Sequence, residues 1–221
     1  MNTHFRKPEW ILFDLGGTLM DTGPVIEAAA NRVRERKNLG GVSPENLQAV
    51  LSGKMQTSDL LIPDGAGGKE RRDALMMFGR YLDIVFPDYA RPYPGINQLL
   101  SDLRESGVRL CVLENAITLF LHQWLEFAGW ENDFEFIAGA DSVPFLIPSE
   151  NLFPYMLARL GTEANKAWYV SDGAAELRAA RNSGIRTIGS GYGYGAALEA
   201  VADVVVNQPL EIVQLVLKKN P

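Results

Sequence analysis

Three apolar runs in this 221-residue chain end on groups capable of chemistry. "ILFDLGGTLMDT", residues 11–22, breaks at Asp14 and continues into Gly16, Gly17 and Thr18. "RLCVLEN", residues 109–115, ends in Glu114 and Asn115, and "AWYVSD", residues 167–172, ends in Ser171 and Asp172. In an open parallel sheet ligands bind outside the carboxyl ends of the strands, so these three carboxylates are expected to converge there. Packed that closely they repel one another unless a cation sits among them, and hard oxygen ligands around an open site suit Mg2+. A local reading also exists for two of them. Asp14 could cap a following helix, and Asp172, which precedes "GAAELRAAR", fits an N-cap better still. Glu114 is harder to treat as structural, because a Glu closing a buried strand needs a partner.

The elements that must position these groups are legible as alternating patterns. "WILFD", "RLCVLE", "FEFIAG", "AWYVSD", "RTIGSG" and "DVVVNQ" read as short buried strands. Between them, "GINQLLSDLRESG", "ITLFLHQWLEFAGW", "SENLFPYMLARLG" and "AAELRAARNSG" carry helical periodicity, and Gly107, Gly161 and Gly184 stand where C-terminal caps want them. Strands separated by helices imply right-handed crossovers, hence an α/β fold with a doubly wound, mostly parallel sheet of about six strands. Residues 21–91 break this rhythm with helical patterns and no convincing strand; Ser43 before Pro44 marks a helix start, and "PDGAGG" at 63–68 a flexible break. The expected organisation is a core of residues 1–20 and 92–221 with a helical insert at 21–91.

Composition narrows the function classes. Apolar residues make up 47% of the chain and charged residues 22%, as in an ordinary globular protein, and the net charge of -6 argues against a nucleic-acid backbone as partner. The basic run "NRVRERK" at 31–37 is expected to be a solvated helix face. Cys111 is the single cysteine, which excludes an internal disulfide and a thiolate metal cluster; inside "VRLCVL" it reads as a small buried hydrophobe. "MNTHFRKPEW" lacks the apolar core of a signal peptide and no stretch is long enough for a membrane span, so a cytoplasmic protein without a membrane partner is expected. The sequence leaves the oligomeric state open.

Taken together, these residues resemble the haloacid dehalogenase-like hydrolases, and within them the phosphoglycolate phosphatase-like branch. "FDLGGTLMDT" is similar to that family's first motif, hhhDxDGTLxDS; "RPYPGINQLLSDLRESGVRLCVLEN" resembles the return from a helical cap into the second-motif strand; and "WYVSDGAAELRAARNSGIRTIGSGYG" resembles the fourth motif. The resemblance covers essentially the whole chain. It implies a Rossmann-like core with residues 21–91 as a helical cap, and a phosphatase acting on a small phosphorylated metabolite. Asp14 would be the nucleophile that becomes an aspartyl-phosphate. Asp14, Asp172 and the Gly16 carbonyl would hold Mg2+, with Glu176 supporting the metal. Carboxylate nucleophiles divide a hard hydrolysis into two steps, and the cation offsets the charge of nucleophile and phosphate.

Three family positions are filled differently. The family's general acid and base, two residues after the nucleophile, is here Gly16. The Thr or Ser that ends the second motif is Glu114, beside Asn115 on the substrate side, and the Lys of the third motif aligns with Ile147 in "IPSENLF". Shifting the alignment does not recover that Lys, because no Lys or Arg lies between Arg109 and Arg159, where His122 is the single titratable base and reads as an ordinary helix residue. With Mg2+ present, Asp14, Glu114 and Asp172 leave a net charge near -1 to receive a phosphate dianion. Lys54 of the insert could bring a cation over the site, as cap residues do in this family; Asp21, near the hinge, could relay a proton, although its family equivalent is mostly structural. Two classes of function follow: a Mg2+-dependent phosphatase with impaired catalysis, or an inactive relative serving as a binding or regulatory module. A dehalogenase is a weaker third, since that branch also lacks the second Asp but keeps the Lys.

Overall fold

The apolar runs form strands, and those at the centre of the sheet bury both faces, as a sheet covered by helices on either side demands. The computed structural model of the protein describes residues 6–62 and 65–217. The first two residues of the break expected at 63–68, and the outermost residues of the expected core, lie outside the described residues. Two compact units divide the chain, Met1–Met20 with Pro92–Pro221, and Asp21–Arg91.

In the first unit, β1 (Trp10–Phe13) is fully buried and lies at the centre of the sheet. It pairs in parallel with β4 (Arg109–Leu113) on one side and β6 (Ala167–Ser171) on the other. β5 (Phe136–Ala138) extends the sheet beyond β4, while β7 (Arg186–Ser190) and β8 (Val204–Val206) extend it beyond β6. Among the described residues this gives six parallel strands in the order β5-β4-β1-β6-β7-β8. Helices α5 (Ile96–Glu105), α6 (Thr118–Ala128), α7 (Leu152–Leu160), α8 (Ala174–Asn182) and α9 (Leu210–Leu217) flank it. α5 shows the pattern clearly: Ile96, Leu99, Leu100 and Leu103 are spaced to share one helix face, and all four are buried. α7 ends on Gly161 in the left-handed region at φ 64°, while Gly107 and Gly184 take positive φ one residue past the caps of α5 and α8. Cys111 is buried in β4, where desolvation pushes its thiol pKa up.

Two short strands, β2 (Met20–Asp21) and β3 (Arg91–Pro92), pair where the chain leaves the first unit and returns to it. The second unit consists of α1 (Gly23–Arg36), α2 (Pro44–Leu51), α3 (Thr57–Leu61) and α4 (Gly68–Tyr89). Val25, Ala29, Ala30 and Val33 of α1, Leu60 and Leu61 of α3, and Ala74 and Phe78 of α4 are buried there. Ser43 caps α2 by accepting the Asn46 amide at 3.2 Å, with Pro44 as its first residue. The basic run is more than the solvated face expected of it. Arg34 donates to the Leu60 carbonyl at 2.9 Å, Lys37 pairs with Glu70 at 3.4 Å, and Arg32 lies over the Tyr81 ring at 5.9 Å. These cations fasten α1 to α3 and α4. Among the described residues no helix is long and apolar enough to cross a membrane.

Candidate active site

Strand register brings the chemistry-bearing residues level. Phe13 pairs with Val112 and with Val170, so Asp14, Leu113 and Ser171 come next on their strands, and Glu114 and Asp172 follow. The Asp14 amide continues the ladder to the Val170 carbonyl at 3.0 Å. Beyond it the chain makes a tight turn in which the Leu19 and Met20 amides donate to the Leu15 carbonyl at 2.9 and 3.0 Å. Gly17, at φ 76°, gives this turn its shape, and a Cβ there would stand 2.3 Å from Asp172 Oδ2. Thr18 is fully buried and central: its hydroxyl donates to Asp14 Oδ2 at 3.2 Å, accepts the Asp172 amide at 3.2 Å, and lies 3.3 Å from Ser190 Oγ. Sequence alone gave Thr18 a place in the turn but no contacts.

Neither aspartate is a helix cap. α1 begins at Gly23 with Thr22 in the cap position, and the cap residue of α8 is Gly173, without a side-chain bond. Asp172 instead turns its Oδ2 to the Tyr194 amide at 2.8 Å. Asp14 and Asp172 are 6% and 7% exposed. Glu176, in the first turn of α8, accepts the hydroxyls of Ser171 at 2.6 Å and Tyr169 at 2.9 Å. Glu114, half-buried, accepts the Asn115 amide at 2.7 Å.

These four carboxylates feel one another. Burial, then the charges of Glu176, Glu114 and Asp172, raises the Asp14 pKa well above the usual carboxylate range. Burial followed by Glu176 pushes Glu114 up to about 7 against the opposing amides of Asn115 and Gly16. Asp172 also reaches about 7, chiefly through burial, with the Tyr194 amide opposing. Among the described residues, the ion pairs of Lys and Arg all involve other carboxylates. Burying several anions without a cation is costly, and that is the condition a bound metal relieves. No three His, Cys, Asp or Glu side chains among the described residues form a ready-made metal cage. Asp14, Asp172 and the Gly16 carbonyl offer a smaller set, all hard oxygens, which fits an ion such as Mg2+ that keeps several waters.

The remaining expected residues have surroundings of their own. The Asn115 side chain clamps the backbone of Ile147, donating to its carbonyl at 2.9 Å and accepting its amide at 3.0 Å. Ile147 itself is 8% exposed and belongs to the core with Leu113, Leu152 and Phe153, so this position, expected to stand where the family has its Lys, is filled by packing. Lys54 lies in the second unit, exposed in the turn after α2, with its amide bonded to the Ala49 carbonyl at 2.8 Å. Asp21 accepts the Gly23 amide at 3.3 Å at the start of α1. His122 is exposed on α6.

A parallel α/β sheet with a carboxylate-rich centre at its strand ends is the architecture of a hydrolase family. The family described as haloacid dehalogenase-like hydrolase matches residues 11–190, and the chain belongs to it. Among curated relatives, a phosphoglycolate phosphatase of Aquifex aeolicus is 27% identical over 205 residues, covering 93% of this chain and 95% of the relative. One from Chromobacterium violaceum is 28% identical over 211 residues, with the same coverage of 93% and 95%. The crystal structure of a predicted phosphoglycolate phosphatase from Haemophilus somnus shares the fold with a TM-score of 0.84 at 24% identity, covering 97% of this chain and 99% of that one. CbbY from Rhodobacter sphaeroides, in complex with phosphate, gives a TM-score of 0.77 at 23% identity, covering 93% and 96%.

Proposed function

We propose that the protein is a Mg2+-dependent phosphatase of a small phosphomonoester, related in activity to the phosphoglycolate phosphatases it resembles and slowed by its three substituted positions. The observation that carries this reading is the buried Asp14 carboxylate, held by Thr18 at the end of the central strand beside Asp172. Asp14 attacks phosphorus, forming an O–P bond as the ester P–O bond breaks, and the departing alkoxide takes its proton from solvent because Gly16 has no side chain to supply one. Water then attacks the phosphorus of the aspartyl-phosphate, releasing inorganic phosphate and restoring the carboxylate. Asp14, Asp172 and the Gly16 carbonyl are the residues to hold Mg2+, with Glu176 behind them; the ion's contribution is to offset the charge of nucleophile and phosphate. Residues 21–91 act as the cap that selects the substrate, and Lys54 is its candidate phosphate contact. Glu114 faces the substrate side, while Asn115 acts indirectly through Ile147.

Hydrolysis of p-nitrophenyl phosphate, 2-phosphoglycolate and a panel of sugar phosphates, with Mg2+ or with EDTA, tests this. Turnover above background that requires Mg2+ and disappears in Asp14→Asn is expected. Background rates on every substrate at millimolar Mg2+ would overturn the reading in favour of a binding module.

A further inference from the structure

After β7 the chain turns through Gly191-Tyr192-Gly193-Tyr194-Gly195, and the active centre explains two of these glycines, Gly193 and Gly195. A Cβ on Gly193 would stand 2.1 Å from the Gly17 carbonyl oxygen and 2.7 Å from Asp172 Cβ, and one on Gly195 would stand 1.7 Å from the Asp172 carbonyl oxygen. The turn therefore lies backbone against backbone on the two residues that shape the site, closer than any side-chain-bearing residue could come. From there the Tyr194 amide reaches Asp172 Oδ2 at 2.8 Å. The half-buried Tyr192 donates its hydroxyl to the Thr18 carbonyl at 3.0 Å. Its ring meets Tyr93 edge-on at 5.2 Å, and the Tyr93 amide is bonded to the Leu19 carbonyl at 3.1 Å. Tyr192 thus grips the catalytic turn at Thr18, and its ring neighbour grips it one residue further on.

We propose that residues 191–195 are a positioning element of the active centre, in which the Tyr194 amide orients Asp172 and the Tyr192 hydroxyl holds the Thr18 turn that aims Asp14. Neither tyrosine side chain needs to touch substrate. The inference rests on the reading of Asp14 and Asp172 given above. Groups that orient metal ligands from behind typically contribute about 10- to 100-fold to metal affinity or activity.

Tyr192→Phe removes one hydroxyl and keeps the ring against Tyr93, and Gly193→Ala forces the turn off Gly17 and Asp172. For each, thermal melting is followed against Mg2+ concentration, together with kcat and KM for p-nitrophenyl phosphate. Tyr192→Phe is expected to melt within about 2 °C of wild type without metal, to need roughly tenfold more Mg2+ for half-maximal stabilisation, and to lose about tenfold in kcat with little change in KM. Gly193→Ala is expected to lose more of both; should it fail to fold, Tyr192→Phe decides alone. Wild-type turnover and Mg2+ response retained unchanged in Tyr192→Phe overturn the inference and leave the phosphatase reading standing. A lower metal-free melting temperature with an unchanged Mg2+ midpoint overturns it too, since that describes a scaffold residue. A wild type with neither turnover nor Mg2+ response overturns both together.

Discussion

Replacing Glu114 with Gln is expected to stabilise the metal-free protein, and more so at high pH. The Glu114 pKa rises from its usual 4.5 to about 7 on folding. Between those two values the unfolded chain has released this proton while the folded chain still holds it, so stability falls as pH rises through the window and levels off above about 7. At pH 8.5 the whole penalty applies, about 3 kcal/mol at 1.4 kcal/mol per pH unit. At pH 5.5 the folded carboxyl is still protonated and only the stretch from 4.5 counts, about 1 kcal/mol. Glutamine keeps an acceptor for the Asn115 amide and carries no charge, so its advantage over Glu should grow by about 2 kcal/mol between the two pH values, or about 4–8 °C in Tm for a chain of this size. Melting in EDTA followed by tryptophan fluorescence reads the correct unit, because Trp10, Trp124, Trp130 and Trp168 all lie in the sheet unit. An advantage that is equal at both pH values, or larger at pH 5.5, would refute the argument that Glu114 sits ionised at a cost among buried anions.

Asn115→Ala removes both hydrogen bonds to the Ile147 backbone and leaves its amide and carbonyl without that partner, at an expected cost of about 2 kcal/mol in urea unfolding; a loss below about 0.5 kcal/mol would mean that water replaces the clamp. Gly17→Ala places a methyl 2.3 Å from Asp172 Oδ2 in a backbone conformation that itself costs about 1–2 kcal/mol. Turnover should fall about 100-fold or more with native circular dichroism retained, since displacing a reacting group by about 1 Å is enough for that loss. Near-normal turnover in folded Gly17→Ala would show that Asp172 need not hold its place.

The sheet was legible because its strands are short apolar runs, the central ones β1, β4 and β6 almost wholly buried and ending on or running into polar residues. What the runs could not convey was their spatial order, which depends on crossovers that leave no mark on the strands themselves. The clustering of Asp14, Glu114 and Asp172 follows from one rule about strand ends, so it too could be read in advance. Thr18, Ser190, Tyr192 and Tyr194 could not. Apart from the local bond of Thr18 to Asp14, their contacts described above span from 22 to 174 residues along the chain, and nothing periodic announces them. Asn115 shows what a strand end leaves unsaid: its side-chain amide is engaged by the backbone of Ile147, a partner 32 residues away. The basic run misled for a related reason, because a cation on a helix face looks solvated until a neighbouring helix end offers a carbonyl, as Leu60 does to Arg34.

The three positions expected to depart from the family pattern fall, on the proposed reading, on one half of the machinery. On that reading Gly16, Glu114 and Ile147 concern protons and phosphate charge, whereas the groups around Asp14 are bonded in place: Thr18 bonds Asp14 and Asp172, Gly17 admits Asp172, and Ser171 with Tyr169 holds Glu176. Magnitudes decide what that leaves. A lost general acid costs about 10²- to 10⁴-fold, and a lost transition-state donor about 10²- to 10³-fold. Multiplied at their upper limits for one acid and two donors these reach about 10¹⁰, and the product overstates the loss because groups that act as a unit are not additive. Enzymes accelerate phosphate-monoester hydrolysis by up to about 10²¹-fold, so a deficit of that size still leaves a rate far above the uncatalysed one. On the proposed reading, a chain with Asp14 buried and held in this frame is therefore expected to turn over phosphomonoesters slowly rather than not at all.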